Sequence, residues 1–199
     1  MSASTTGLLL CDLQNDFVHP EGAYGRAGQT APDIAALPAR LAPLADLMRE
    51  RGGWIVSTHF TLVPGKRGEP IISPHLKKLR PFLGKGDFLP GAWGHALVDE
   101  LAPADLRDEK VAYSAFYMKR LEWVLRKAGI AKLYVAGLVT NGGVASTLRD
   151  AHVRDIDAVL LSDVCAAFSP KVHDTAVEAL RSVAPVVTVA EAMTEVGAL

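Results

Sequence analysis

Lys132-Leu-Tyr-Val-Ala-Gly-Leu-Val-Thr-Asn-Gly-Gly-Val-Ala-Ser-Thr-Leu-Arg-Asp-Ala-His-Val153 is the stretch that decides the architecture. Lys132–Ala136 is a short apolar run ending in Gly137, and Val144–Val153 suits a helix, with the Gly142-Gly143 pair between them. A strand passing directly into a helix is the first half of a βαβ unit. The second half follows at Ala158–Leu161, then a helix at Val172–Val183, a last strand at Val186–Val189 and a terminal helix at Ala190–Met193. Working towards the N-terminus, Lys119–Ala128 is amphipathic and closed by Gly129, and Lys110–Tyr113 reads as a strand. From Ile34 onward Leu37, Leu41, Leu44, Leu47 and Met48 recur at helical spacing until Gly52-Gly53, ahead of a strand at Trp54–Ser57. Gly7–Cys11 is an unbroken apolar run, the mark of a strand buried on both faces. Strands and helices alternating in this way predict an α/β fold: a three-layer sandwich with a mostly parallel sheet covered by helices on both faces.

The 199 residues are enough for one domain with a sizeable core, so a single domain over 1–199 is expected. Residues 61–90, rich in proline, glycine and basic side chains, read as a long loop excursion of the kind that carries function or forms a lid. With 21 basic and 22 acidic side chains the net charge is −1, which gives no attraction for nucleic acid or an anionic membrane. No apolar run approaches the roughly 18 residues of a membrane span, and the first residues lack a secretory pattern. A cytoplasmic protein is therefore expected. The two cysteines, Cys11 and Cys165, form no disulfide framework and read as small buried thiols.

In parallel sheets ligands bind beyond the carboxyl ends of the strands. Asp12 after the first strand, Lys110 at the strand of residues 110–113, and Val139-Thr140-Asn141-Gly142-Gly143-Val144 after Lys132–Ala136 are the polar or glycine-rich features there. The turn at 139–144 is expected to aim N–H groups at the pocket, so Thr140, Asn141 and Gly142 are assigned to substrate binding. Arg67 and Arg80 in the long loop are placed to clamp a substrate carboxylate. His59, Phe116, Trp93 and Phe88 are assigned to the pocket wall.

Two stretches carry a resemblance to a known family. Leu-Leu-Leu-Cys-Asp-Leu-Gln-Asn-Asp-Phe, residues 8–17, resembles the opening strand of the isochorismatase-like, or cysteine hydrolase, superfamily, and residues 137–151 resemble its nucleophile segment. The resemblance implies a Rossmann-like sheet, a homo-oligomer (dimer or tetramer), a small-molecule substrate, and a catalytic Asp-Lys-Cys triad. Asp12 and Lys110 match two members; the third falls on Gly143, which has no side chain to form an acyl-thioester. Family isochorismatases also carry glycine there, and Tyr-Ser-Ala-Phe, as at residues 113–116, and they hydrolyse a vinyl ether without a protein nucleophile. In the family the peptide bond matching Val139–Thr140 is often cis. Some members bind zinc through an Asp-x-His pair with a further histidine; here the pair reads Ser57-Thr58-His59, so no metal and no cofactor are expected.

The resulting expectation is a cofactor-independent hydrolase of a small polar or carboxylated molecule, with Asp12, Lys110 and Gly143 at its catalytic centre. Vinyl-ether hydrolysis is its sharpest form. The alternative is a family fold without catalysis that binds a ligand or partner, and a third reading is an amidase disabled at residue 143.

Overall fold

The structure, a computed structural model, describes residues 2–199. Its centre is a six-stranded parallel sheet of order β3-β2-β1-β4-β5-β6. In chain order the elements are β1 (Thr6–Cys11), α1 (Asn15–Val18), α2 (Ala23–Arg26), α3 (Pro32–Ala35), α4 (Leu37–Glu50), β2 (Trp54–Phe60), α5 (Pro74–Leu79) and β3 (Leu106–Lys110). There follow α6 (Leu121–Lys127), β4 (Lys132–Leu138), α7 (Ala145–His152), β5 (Asp157–Ala166), α8 (Pro170–Leu180), β6 (Val186–Val187) and α9 (Val189–Gly197). No helix among the described residues is long and apolar enough to cross a membrane.

The run Leu8-Leu9-Leu10-Cys11 shows why β1 is central. Side chains alternate across a strand, and here Leu8 and Leu10 join a core with α4 and α9, while Leu9 and Cys11 join another with α6, α7 and α8. Both faces are therefore apolar, and all six residues of β1 are buried.

The chain order reverses between β1 and β4, which lie side by side with Cys11 opposite Gly137. Such a switch point opens a crevice beyond the strand ends. Asp12 and the segment after Leu138 lie on its two sides.

Three expected elements require correction. The strand expected at Lys110–Tyr113 is instead Leu106–Lys110, so Lys110 ends β3 rather than opening it. This edge strand pairs only with β2 through Leu-Arg-Asp-Glu-Lys, and charged edges of this kind discourage further pairing while hiding the apolar signal. The strand expected at Ala158–Leu161 continues to Ala166 through an irregular register that moves from Val135↔Leu160 to Gly137↔Cys165. The last strand stops at Val187 because Thr188 caps α9 in a reciprocal box with Glu191, so Val189 begins the helix. The excursion at 61–90 holds one short helix, α5, with no buried residue.

Candidate active site

Asp12 follows β1 with φ of 55°, a left-handed conformation that is uncommon for a residue with a side chain. Its carboxylate is buried and lies 2.6 Å from Lys110 Nζ through Oδ2. Thr58 Oγ1 donates to Oδ1 at 3.2 Å, and Lys110 Nζ also donates to the carbonyl of Ala112 at 3.1 Å. Burial raises the Asp12 pKa above the usual carboxylate range, against the opposing pull of the Lys110 ammonium and the hydrogen bonds. Desolvation wins because hardly any solvent reaches either charge: Lys110 and Asp12 side chains are 2% and 6% exposed.

Beyond β4 the chain makes one wide turn, Thr140–Val144, in which Val144 N donates to Val139 O at 3.3 Å, five residues back. Turns of this π type are frequent at functional sites. The turn carries Gly143 to the Asp12–Lys110 pair. A Cβ built on Gly143 would lie 3.3 Å from Asp12 Oδ2 and 3.6 Å from Lys110 Nζ, and only 2.8 Å from the Leu138 carbonyl oxygen. The backbone thus comes closer to Leu138 than a side chain permits.

Asp12, Lys110, Val139 and Gly143 border a cavity of about 300 Å³. Tyr24, Phe168 and Arg80 also line it, with Phe17 and Phe60, and α5 contributes His75, Leu76 and Leu79. Tyr24 and Phe168 stack at 5.1 Å between centroids with planes 7° apart. The guanidinium of Arg80 lies 5.0 Å from the Phe168 centroid and 5.8 Å from that of Tyr24.

Of the residues expected at the site, Asp12, Lys110, Gly143 and Arg80 line the cavity, and Thr140, Asn141, Gly142, Arg67, His59, Phe116, Trp93 and Phe88 do not. Thr140 is buried with its hydroxyl against His173 Nδ1 at 2.8 Å, while Asn141 is exposed. Gly142 N, expected to face the pocket, donates to Val139 O instead, as Val144 N does, which removes two donors from the expected oxyanion site. Arg67 is exposed on the loop, and Trp93 is half exposed beside His19. Phe116 packs in the core of α6 to α8 beneath Arg154. Phe88, also assigned to the wall, is buried among Phe17, Tyr24 and Phe60 behind it. The Val139–Thr140 bond is trans, contrary to expectation, since Ala102–Pro103 is the only cis bond among the described residues.

His59 is held elsewhere because neighbours on a strand face opposite ways: Thr58 reaches Asp12, and His59 turns away from it. The Nδ1–H of His59 donates to the His95 carbonyl at 2.7 Å, and its Nε2 accepts from Ser57 at 2.9 Å. Arg107 donates to His95 Nδ1 at 2.7 Å, and His95 Nε2–H donates to Thr61 Oγ1 at 2.8 Å. These partners fix both rings as neutral tautomers, and burial lowers both pKa values to about 4, helped at His95 first by Arg107. All four ring nitrogens are engaged, a guanidinium stands beside them, and Ser57 offers no carboxylate. This group does not fit a zinc ion.

The thiols are equally withdrawn. Cys11 lies in the layer of α6 to α8, and burial, then Asp12, pushes its pKa up to about 12. Cys165 is in the same layer, its pKa raised mainly by burial, with Sγ 3.8 Å from the Val135 carbonyl. Tyr24 and Phe168, which sequence reading missed, meet only through the fold. Nothing local in either segment signals the contact.

Residues 6–191 match the Isochorismatase domain. A ureidoacrylate amidohydrolase, RutB, of Stutzerimonas stutzeri is 35% identical, over 86% of this chain and 73% of its own length. The solved structure of a cysteine hydrolase from Pseudomonas syringae pathovar phaseolicola shares the fold with a TM-score of 0.84 at 22% identity, covering 100% of this chain and 95% of that one. That of the nicotinamidase/pyrazinamidase PncA from Bacillus subtilis aligns with a TM-score of 0.74 at 25% identity, covering 94% and 99%.

Proposed function

Because the chain belongs to the isochorismatase family, we propose that it is a hydrolase in which Asp12, held beside Lys110, exchanges a proton directly with a small carboxylated substrate. No bond forms between substrate and protein. The observation that carries this reading is Gly143: its missing side chain faces the Asp12–Lys110 pair, and both thiols of the chain are buried away from the cavity.

A vinyl ether is the bond that such a pair suits best. Protonated Asp12 delivers its proton to the enol carbon, and the ether oxygen shares its electrons with the resulting oxocarbenium ion. Water adds to that ion and returns a proton to the Asp12 carboxylate. The hemiketal then collapses to a ketone and an alcohol, so one water is consumed and Asp12 ends as it began. The Lys110 ammonium, 2.6 Å away, stabilises the carboxylate between the two transfers. Proton transfer of this kind contributes about 10²- to 10⁴-fold in rate. Burial supports the role, because it keeps a carboxylic acid protonated at higher pH than usual.

The identity with a ureidoacrylate amidohydrolase favours a second reading, in which ionised Asp12 takes the proton of a water that attacks a ureido or amide bond directly. The two readings require opposite protonation states. Turnover of small enol ethers, ureas and amides of carboxylic acids, followed as kcat/KM against pH, separates them. With Asp12 as acid, kcat/KM is flat at low pH and falls tenfold per pH unit above the Asp12 pKa, which lies above the ordinary carboxylate range. An ascending limb through the same pKa would transfer the assignment to the second reading.

A further inference from the structure

The left-handed backbone conformation of Asp12 is of a kind that persists only where the surroundings enforce it. On one side stands β2, where the Thr58 carbonyl accepts from Asp12 N at 3.0 Å. On the other is the segment 93–98. Asn15 N donates to the Ala96 carbonyl and Val98 N to that of Leu13, both at 3.0 Å, Asn15 Nδ2 reaches the Trp93 carbonyl at 2.9 Å, and Gln14 pairs with Leu97. Gln14 is fully buried, and its Nε2 donates to the His95 carbonyl at 3.1 Å and to the Phe60 carbonyl at 3.0 Å. Whatever fixes 93–98 therefore fixes the chain that leaves Asp12.

His95, itself fully buried, ties this segment to the sheet. A guanidinium has donors and no acceptor, so Arg107 Nη2, 2.7 Å from His95 Nδ1, requires a lone pair there and leaves the ring proton on Nε2. That proton goes to Thr61 Oγ1, the Thr61 proton goes to the His59 carbonyl at 3.1 Å, and His59 Nδ1–H returns to the His95 carbonyl. Each of these bonds runs in the direction that Arg107 sets. The other tautomer of His95 would aim Nδ1–H at the guanidinium, and Thr61 would lose its bond to the His59 carbonyl in order to serve Nε2. The charged groups around the two rings are Arg107 and Glu109 from β3, 3.8 Å apart, and the Asp16 carboxylate beside Gly94. Of these only Arg107 reaches a ring nitrogen.

We propose that Arg107 is a positioning residue for Asp12: by directing the His95–Thr61–His59 hydrogen bonds it fixes segment 93–98 on β2, and through Gln14 that segment holds the Asp12 carboxylate against Lys110. The effect on turnover rests on the acid-base reading above; the effect on the Asp12 carboxylate does not.

The test is nuclear magnetic resonance of the full chain, labelled at histidine nitrogens and aspartate carboxyl carbons, with kinetics on Arg107→Met and Arg107→Lys. The Arg107 side chain is 46% exposed on the edge strand, so both variants should fold. Native His95 should carry its proton on Nε2. In Arg107→Met both tautomers should appear, and the Asp12 pKa should fall by about one unit or more towards the usual carboxylate range, because a loosened carboxylate regains water. The sign is decisive, since loss of a cation alone would raise that pKa while Lys110, the charge beside Asp12, is unchanged. The value of kcat should fall about 10- to 100-fold, the cost of a misplaced group, with KM within about twofold. Arg107→Lys should restore the tautomer and most of kcat, because an ammonium also donates without accepting. A native His95 protonated on Nδ1, or an unchanged tautomer in Arg107→Met, would overturn the role of Arg107 at His95. A changed tautomer with the Asp12 titration unmoved or raised would overturn its reach to Asp12. A lowered Asp12 pKa with native kcat would support the positioning and remove the acid-base reading instead.

Discussion

Asp12→Asn is expected to reduce kcat/KM about 10³-fold or more, within the range of a lost acid-base group, and also to destabilise the fold. From the sequence the exchange is nearly isosteric and harmless to packing. In the structure, at a pH above the Asp12 pKa where the pair is ionised, it leaves the Lys110 ammonium, 2% exposed, without its counter-charge. Breaking a buried pair by removing one partner costs about 3–5 kcal/mol. For a domain of 150–250 residues each kcal/mol shifts the melting temperature by roughly 2–4 °C, so a fall of roughly 6 to 20 °C is expected. Asp12→Asn combined with Lys110→Met removes both charges and should return the melting temperature to near the native value, since neutral replacements of buried pairs are tolerated. Turnover should stay lost. The double variant thus separates catalysis from folding: recovered stability with recovered turnover would remove Asp12 from the mechanism.

Gly137→Ala is expected to destabilise the fold on a similar scale. Gly137 sits inside β4 at φ of 115°, a conformation that residues with a side chain rarely adopt, and a Cβ there would lie 2.2 Å from the Cys11 carbonyl oxygen. Cys11 belongs to the neighbouring strand and immediately precedes Asp12. Backbone strain of about 1–3 kcal/mol and overpacking of about 1–3 kcal/mol together give a loss of about 4 kcal/mol. Relief of the contact would also move Cys11 and the Asp12 carboxylate beyond it. Urea unfolding should show the midpoint falling at constant m-value. A loss below about 1 kcal/mol would mean that β4 and β1 can separate locally without consequence.

How much was legible in the sequence follows from which signals are local. The apolar runs of β1 and β4 mark central strands because burial on both faces leaves no room for polar residues, and the strand ends then place Asp12 and Gly143 at one crevice. The β3 strand was misplaced because a charged edge strand carries no apolar period. His59 was assigned to the cavity from its position at a strand end, yet side-chain alternation puts Thr58 beside Asp12. Arg67 and Arg80 look equivalent as basic loop residues. Only the fold, by bringing Tyr24 and Phe168 together beneath one of them, makes the difference. The Gly142 and Val144 N–H groups were expected to be free because a strand-to-helix turn leaves donors unpaired, but the wider π turn returns both to Val139.

The central claim is that hydrolysis proceeds without a protein nucleophile, and a thiol-free protein tests it most directly. The chain has two cysteines, both buried, so Cys11→Ala with Cys165→Ala removes every thiol. The account predicts that kcat/KM of this variant on the substrate the native protein turns over stays within about threefold, because no nucleophile has been lost. A fall of about 10³-fold or more with the circular dichroism spectrum unchanged, together with an acyl adduct on either cysteine in the mass of the native protein, would contradict it.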